Sequence, residues 1–79
     1  GRRLTVFVRI DDRPGGLARL LSTFAAAGAN LIEVQHVREG LDLHVRETGI
    51  RATFEVRGPS HAADTIAAAA AAGYDVTSE

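Results

Sequence analysis

The chain has 79 residues, no cysteine, a formal net charge of −1 and a mean hydropathy close to zero. A chain of this length forms one small domain with a marginal core, and no disulfide can reinforce it, which fits a reducing, cytoplasmic compartment. The balanced charge and the short apolar runs argue against nucleic-acid and membrane partners.

Two residue types are missing from the sequence, and their absence bears on the origin of the chain and on the reactions it can perform. The chain contains neither methionine nor lysine, and all nine basic residues are arginine. We therefore expect residues 1–79 to be a single domain cut from a longer protein, starting at an artificial Gly1. A chain without lysine cannot itself form a lysine Schiff base.

The first half of the chain predicts a strand, a helix and a second strand. Alternating apolar residues from Leu4 to Ile10 predict a half-buried strand. After the loop "DDRPGG" (11–16), helical spacing continues to Gly28, which stands where a C-cap glycine would. The apolar positions of this helix are Leu17, Leu20, Leu21, Phe24 and Ala25. The segment "NLIEVQHV" (30–37) has the length and the aliphatic content of a strand.

The second half predicts a strand, a helix and a short closing strand. Ile50, Ala52, Phe54 and Val56 alternate with polar residues, as in a half-buried strand. Ser60 is the predicted N-cap of a helix whose packing positions are Ala62, Ile66, Ala69, Ala70 and Gly73. Residues 74–78 supply the last strand.

The resulting order, β-α-β-β-α-β, predicts an α+β, ferredoxin-like fold. It has a four-stranded antiparallel sheet of spatial order 4-1-3-2, with both helices on one face. Strand two then lies on an edge that a second copy can extend by pairing. The alternation places Phe7 and Leu31 on the face that no helix covers.

The sequence offers little support for catalysis or metal binding. The three histidines, His36, His44 and His61, have no metal-ligand spacing, and we interpret them as surface or interface residues. Arg13 and Asn30 are the only pair that an acylphosphatase-like reaction would use, and their loop lacks the required glycine spacing. We therefore predict no catalytic residue and no cofactor in this chain.

The "DDRPGG" loop is the strongest candidate for a binding site. Pro14 presets φ, Gly15 and Gly16 permit unusual backbone conformations, and the following helix N-terminus can bind a carboxylate. A capped strand-to-helix turn, with Asp12 accepting from the same N–H groups, is the alternative. Asn30, which follows the helix, is either a ligand contact or a turn residue.

The segment "DDRPGGLARLLSTFAAAGANLIEV" (11–34) resembles the signature of the ACT domain, a small regulatory module of amino-acid metabolism. The matching features are the acid-basic-Pro-Gly sequence at 12–15, Leu17 in the first turn of the helix, and the Gly-Ala-Asn-Leu sequence at 28–31, which leads from the helix into strand two. The segments "EVQHVR" (33–38) and "FEVRGPSHAADTIAAAAAAGYDV" (54–76) are similar to the C-terminal ACT domain of threonine dehydratases. The departures from the family are Gly16, where a bulkier residue could equally sit, and the loop 39–49, in which the resemblance assigns no role to His44 and Arg46.

The resemblance implies a function and a set of site residues. Two copies would pair through strand two, and a free amino acid, with isoleucine or valine as first candidates, would bind at the seam. The implied ligand-binding residues are Asp12, Arg13, Pro14, Gly15, Gly16, Leu17, Asn30, Leu31 and Ile32. The backbone N–H groups of Gly15, Gly16 and Leu17 would hold the carboxylate. A catalytic domain of the parent chain would carry pyridoxal phosphate, and an assembly module without a ligand site is the alternative.

Overall fold

The computed structural model describes residues 2–11, 13–37 and 47–79. The strands are β1 (Arg3–Asp11), β2 (Asn30–Val37), β3 (Glu47–Glu55) and β4 (Asp75–Ser78), and the helices are α1 (Gly16–Ala26) and α2 (Pro59–Ala71). All strand pairs are antiparallel in the order β2-β3-β1-β4, which confirms the predicted fold and leaves β2 on an edge. His44 and Arg46, which the sequence left unexplained, lie outside the described residues, as does Asp12.

The core lies between one face of the sheet and the two helices. The even-numbered residues of β1 and β3 pack against Leu20 and Phe24 of α1 and Ala69 of α2. The rings of Phe24 and Phe54 stack with their centroids 4.5 Å apart. Ala25, Ala70 and Gly73, which the sequence placed at packing positions, are exposed, and Gly73 lies beyond the end of α2. The buried positions of α2 are His61, Thr65 and Ala69.

The start of α2 differs from the prediction. Gly58, not Ser60, is the N-cap, with a φ of 151° that favours glycine, and Pro59 occupies the first turn. Proline is favoured at this position because its fixed φ suits the helix and its missing N–H would have no intrahelical acceptor. Ser60 therefore lies inside the first turn, and its predicted role as N-cap was wrong.

Both helices end in the same hydrogen-bonded motif, a Schellman turn. At the end of α1, Gly28 has a φ of 87°, its N–H donates to the Ala25 carbonyl at 2.9 Å, and the Ala29 N–H donates to the Phe24 carbonyl at 3.1 Å. Gly73 and Tyr74 make the equivalent bonds at the end of α2. The predicted role of Gly28 is confirmed, and the turn delivers the chain directly into β2.

A bulge at the start of β2 changes which side chains share a face. Leu31 pairs with Phe54, but the register then shifts, so that Glu33 pairs with Thr53. Because paired residues point to the same side of a sheet, Leu31 lies on the helix side with Phe54. The prediction that Leu31 lies on the uncovered face was therefore wrong. Phe7, paired with Arg51, does lie on that face, where it is half-buried.

The uncovered face of the sheet carries its own polar contacts. The Thr5 and Thr53 hydroxyls are 3.1 Å apart, and the Arg51 Nε donates to Glu79 Oε1 at 2.8 Å. Two effects raise the pKa of Arg51 above its ordinary value: first the hydrogen bond with Glu79, and second the negative charge of the Glu79 carboxylate. The threonine contact links β1 to β3, and the arginine contact holds Glu79 against the central strand β3.

Candidate ligand-binding site

The loop between β1 and α1 is a tight turn built by its own backbone. The Arg13 N–H donates to the Asp11 carbonyl at 2.9 Å, and the Gly16 N–H donates to the Arg13 carbonyl at 3.0 Å. Gly15 is the N-cap of α1 and has a φ of 81°, in the left-handed region that favours glycine. Arg13, Pro14 and Gly15 are all exposed, so the loop presents its backbone to solvent.

Gly16 lies close to the backbone at the end of β1. Its φ is not positive, but a Cβ at this position would lie 3.0 Å from the Asp11 carbonyl oxygen, a backbone atom. A bulkier residue would require the Asp11 carbonyl to move by a few tenths of an ångström, which argues against the expectation that such a residue could equally sit here. The Gly16 N–H also donates within the turn, so it is not a free donor for a carboxylate.

Other N–H groups at this helix end remain as donors. Within residues 2–11, 13–37 and 47–79, the N–H groups of Gly15, Leu17 and Ala18 find no hydrogen-bond acceptor. Such groups at a helix N-terminus carry a partial positive charge and bind anions. Asp12, the predicted capping competitor, lies outside the described residues.

The second group of predicted site residues lies at the start of β2. Asn30 is exposed and pairs with Glu55 on the last rung of the sheet. Leu31 and Ile32 are the exposed large apolar side chains of the described chain, at 40% and 44% of their full accessible surface. An apolar pair on an unpaired strand edge is a surface suited to contact with another molecule.

A single chain does not bring the two groups together. β1 and β2 are both antiparallel to β3, so they run in the same direction. The loop therefore leaves one end of the sheet, beyond the Asp11–Glu47 pair, whereas Asn30 lies at the other end, opposite Glu55. The eight-residue step from Glu55 to Glu47 corresponds to about 26 Å along the strands.

His61 is a buried residue with a structural role, contrary to its interpretation as a surface or interface histidine. It is 7% exposed, and its Nδ1 accepts a hydrogen bond from the Arg57 N–H at 2.9 Å. Its Nε2 is 2.8 Å from the Ala27 carbonyl oxygen. A carbonyl can only accept, so the ring is the neutral form with its proton on Nε2. His61 lies in the first turn of α2, two residues after Pro59, and from there its ring reaches back to the N–H of the residue before the N-cap.

Comparison with known proteins identifies the family. The family model described as ACT domain matches residues 4–73. The chain belongs to the ACT domain family. ACT domains are regulatory modules that bind amino-acid effectors and occur in chains with catalytic domains. In the described part of this ACT domain, no group of three His, Asp or Glu side chains is placed to hold a metal ion, and no helix is long and apolar enough to cross a membrane.

Curated relatives are L-threonine ammonia-lyases, the enzymes also called threonine dehydratases. The ACT domain is 36% identical over 74 residues to the L-threonine ammonia-lyase of Geobacter sulfurreducens and 30% identical over 76 residues to that of Thermotoga maritima. The matches cover 94% and 96% of this chain but only 18% and 19% of the two enzymes. The chain thus spans less than a fifth of the length of these relatives. The predicted resemblance to threonine dehydratases is confirmed.

Solved structures share the fold at low sequence identity. The regulatory subunit of aspartate kinase from Thermus thermophilus, in a ligand-free form, matches with a TM-score of 0.67 and 15% identity, over 99% of this chain and 50% of that chain. The quorum-quenching acylase GqqA matches with a TM-score of 0.69 and 20% identity, over 96% and 40%. These two similarities support the ferredoxin-like arrangement of the ACT domain.

Proposed function

We propose that this ACT domain is the regulatory domain of a pyridoxal-phosphate-dependent threonine ammonia-lyase, and that it binds a small aliphatic amino acid at a seam between two copies. The observation that carries the proposal is the separation of the two groups of site residues, about 26 Å apart along the sheet of one chain. A site that uses both groups needs a second copy.

Pairing of two copies through β2 brings the groups to the same end. If β2 pairs antiparallel with its copy about a two-fold axis through the middle of the strand, one copy's Asn30 lies next to its partner's Val37. Val37 pairs with Gly49, at the end of the sheet where the β1–α1 loop lies. Each seam therefore contains two equivalent sites, each with the helix N-terminus from one copy and the start of β2 from the other.

The chemistry of these groups fits an α-amino acid. The N–H groups of Leu17 and Ala18, and that of Gly15, would hold the α-carboxylate, in place of the engaged Gly16 N–H. The ammonium would be received by the side-chain oxygen of Asn30 or by the carboxylate of Asp12. Leu31, on the helix side of the sheet, would contact an apolar ligand side chain together with Leu17 and Ile32. Isoleucine and valine are the first candidates.

Regulation would act through the seam. A ligand that binds only when two copies are paired stabilises one arrangement of the attached catalytic domains, and a coupling of about 1–3 kcal/mol is enough for control. The catalytic domain would hold the pyridoxal phosphate, because this chain has no lysine to bind it covalently. That domain would convert threonine to 2-oxobutanoate and ammonia.

Titration calorimetry with each of the twenty amino acids, combined with sedimentation at each ligand concentration, tests the proposal. Saturable binding of isoleucine or valine, with one site per chain in the paired form, supports it. A stable pair that binds none of the twenty amino acids indicates instead an assembly module. A monomer that neither pairs nor binds contradicts both functions.

Two pairs of variants separate a binding defect from a folding defect. Gly15→Ala and Gly73→Ala both place a side chain at a positive φ next to a helix end, at 81° and 98°. Only Gly15→Ala should abolish binding. Asn30→Ala and Gln35→Ala both remove an exposed amide from the edge strand β2. Only Asn30→Ala should weaken binding, and equal effects within either pair would contradict the assignment of these residues.

A further inference from the structure

The end of α1 is held by a side chain from α2. Of the last four carbonyl groups of a helix, a Schellman turn satisfies two and leaves the C-cap carbonyl without a backbone donor. In α1 that carbonyl belongs to Ala27, and the Nε2–H of His61 donates to it at 2.8 Å. At the end of α2 the equivalent carbonyl belongs to Ala72, and the described residues supply no side-chain donor to it.

The imidazole itself is fixed from both sides. The Arg57 N–H donates to Nδ1 at 2.9 Å, which sets the orientation of the ring. The ring also lies against the α1 exit, since a Cβ on Gly28 would be 3.3 Å from Nε2. We call the two hydrogen bonds from Arg57 to His61 and from His61 to Ala27 the His61 bridge. The bridge joins the corner between β3 and α2 to the turn three residues before Asn30.

We infer that His61 is a positioning residue for the ligand site, and that its bond to the Ala27 carbonyl fixes the start of β2. This inference rests on the proposed function, in which Asn30 and Leu31 supply one half of that site. Ala27 is followed by only Gly28 and Ala29 before Asn30, so a displacement of the Ala27 carbonyl moves the start of the strand. The N-terminus of α1 in the partner copy would then face Asn30 and Leu31 in displaced positions.

Two substitutions of His61 separate the two hydrogen bonds of the bridge. In His61→Asn the amide oxygen is attached to Cγ, as Nδ1 is, so the variant keeps an acceptor for the Arg57 N–H and loses the donor to Ala27. In His61→Gln the amide nitrogen is attached to Cδ, where it can replace the Nε2 donor. Val76→Ala, in β4 at the opposite edge of the sheet, is a control for general loss of packing.

The first readout is the affinity for isoleucine and valine, measured by calorimetry at a temperature where every variant is folded. We expect His61→Asn to bind about threefold to tenfold more weakly, the effect of one lost hydrogen bond. His61→Gln and Val76→Ala should bind within twofold of the unsubstituted chain. Equal affinities for His61→Asn and His61→Gln would overturn the inference, because a residue that only stabilises the fold does not change the affinity of the folded state.

The second readout is amide hydrogen exchange and needs no ligand. The Gly28 and Ala29 amides should exchange faster in His61→Asn than in His61→Gln, while the equivalent amides of Gly73 and Tyr74 stay unchanged as an internal reference. Unchanged exchange at Gly28 and Ala29 overturns the role of the bridge. If the unsubstituted chain binds none of the twenty amino acids, the proposed function fails and the ligand half of this inference fails with it. The exchange comparison still decides whether the bridge fixes the start of β2.

Discussion

Gly28→Ala tests how tightly the end of α1 is enclosed. A side chain at its φ of 87° costs about 1–2 kcal/mol of backbone strain. The new Cβ would also lie 3.3 Å from Nε2 of His61 and from Nη1 of Arg57. The exposed guanidinium of Arg57 can move away, but the imidazole is held by two hydrogen bonds. Losing one of these bonds adds about 1 kcal/mol to the strain.

Gly73→Ala is the matched control, because Gly73 has a φ of 98° and a Cβ there would meet no atom of the described residues within 4 Å, its two chain neighbours aside. Urea denaturation should show that Gly28→Ala lowers the free energy of unfolding by about 1 kcal/mol more than Gly73→Ala. In thermal unfolding the difference corresponds to about 4–8 °C for a domain of this size. In a His61→Asn background the two substitutions should cost the same. Equal losses in the original background would refute the reasoning that the imidazole cannot yield.

Three further predictions concern stability and pairing. Thr48→Val should raise the free energy of unfolding by about 1 kcal/mol, because the Thr48 hydroxyl is buried without a partner in the described part of the chain. Thr65→Val is the control and should be destabilising, because the Thr65 hydroxyl donates a hydrogen bond to the His61 carbonyl. A loss of stability in Thr48→Val, measured by urea denaturation, would contradict this. Phe24→Leu should cost about 1–2 kcal/mol by removing the stacked contact with Phe54, and an unchanged urea midpoint would argue against it. Ile32→Glu should shift sedimentation toward the monomer, since it places a charge on the exposed edge, and an unaltered pair would exclude pairing through β2.

The fold follows from periodicity that the sequence displays directly. Strict alternation in β1 and β3, and the glycine just past the end of α1, specify the elements and their order. Gly73 ends α2 in the same way, although the sequence interpretation placed it within the helix. Both kinds of signal are local. The alternation is visible within each strand, and a helix-end signal depends on one glycine at a positive φ. Ser60 misled because a Gly-Pro pair before it starts the helix earlier than a serine cap would.

The details of the site depend on contacts that sequence spacing does not encode. The bulge next to Ile32 reverses the face of Leu31, and simple alternation along β2 gives the opposite answer. The close contact at Gly16 comes from the Asp11 carbonyl, which approaches only when the turn has closed. His61 joins two segments 34 residues apart, so its role emerges only when both helices pack on the same face.

The same geometry explains why a small sheet edge is a suitable place for control. Under the proposed pairing, neither copy has a complete site, so ligand binding and association belong to one equilibrium. A ligand present at a hundredfold excess over its dissociation constant stabilises the paired form by about 2.7 kcal/mol for each site. By reciprocity, any change in the attached domains that separates the two β2 edges weakens the binding of the ligand by the same factor. This coupling does not require the sheet or its core to change shape. What changes is the position of the second copy relative to Leu31 and Ile32.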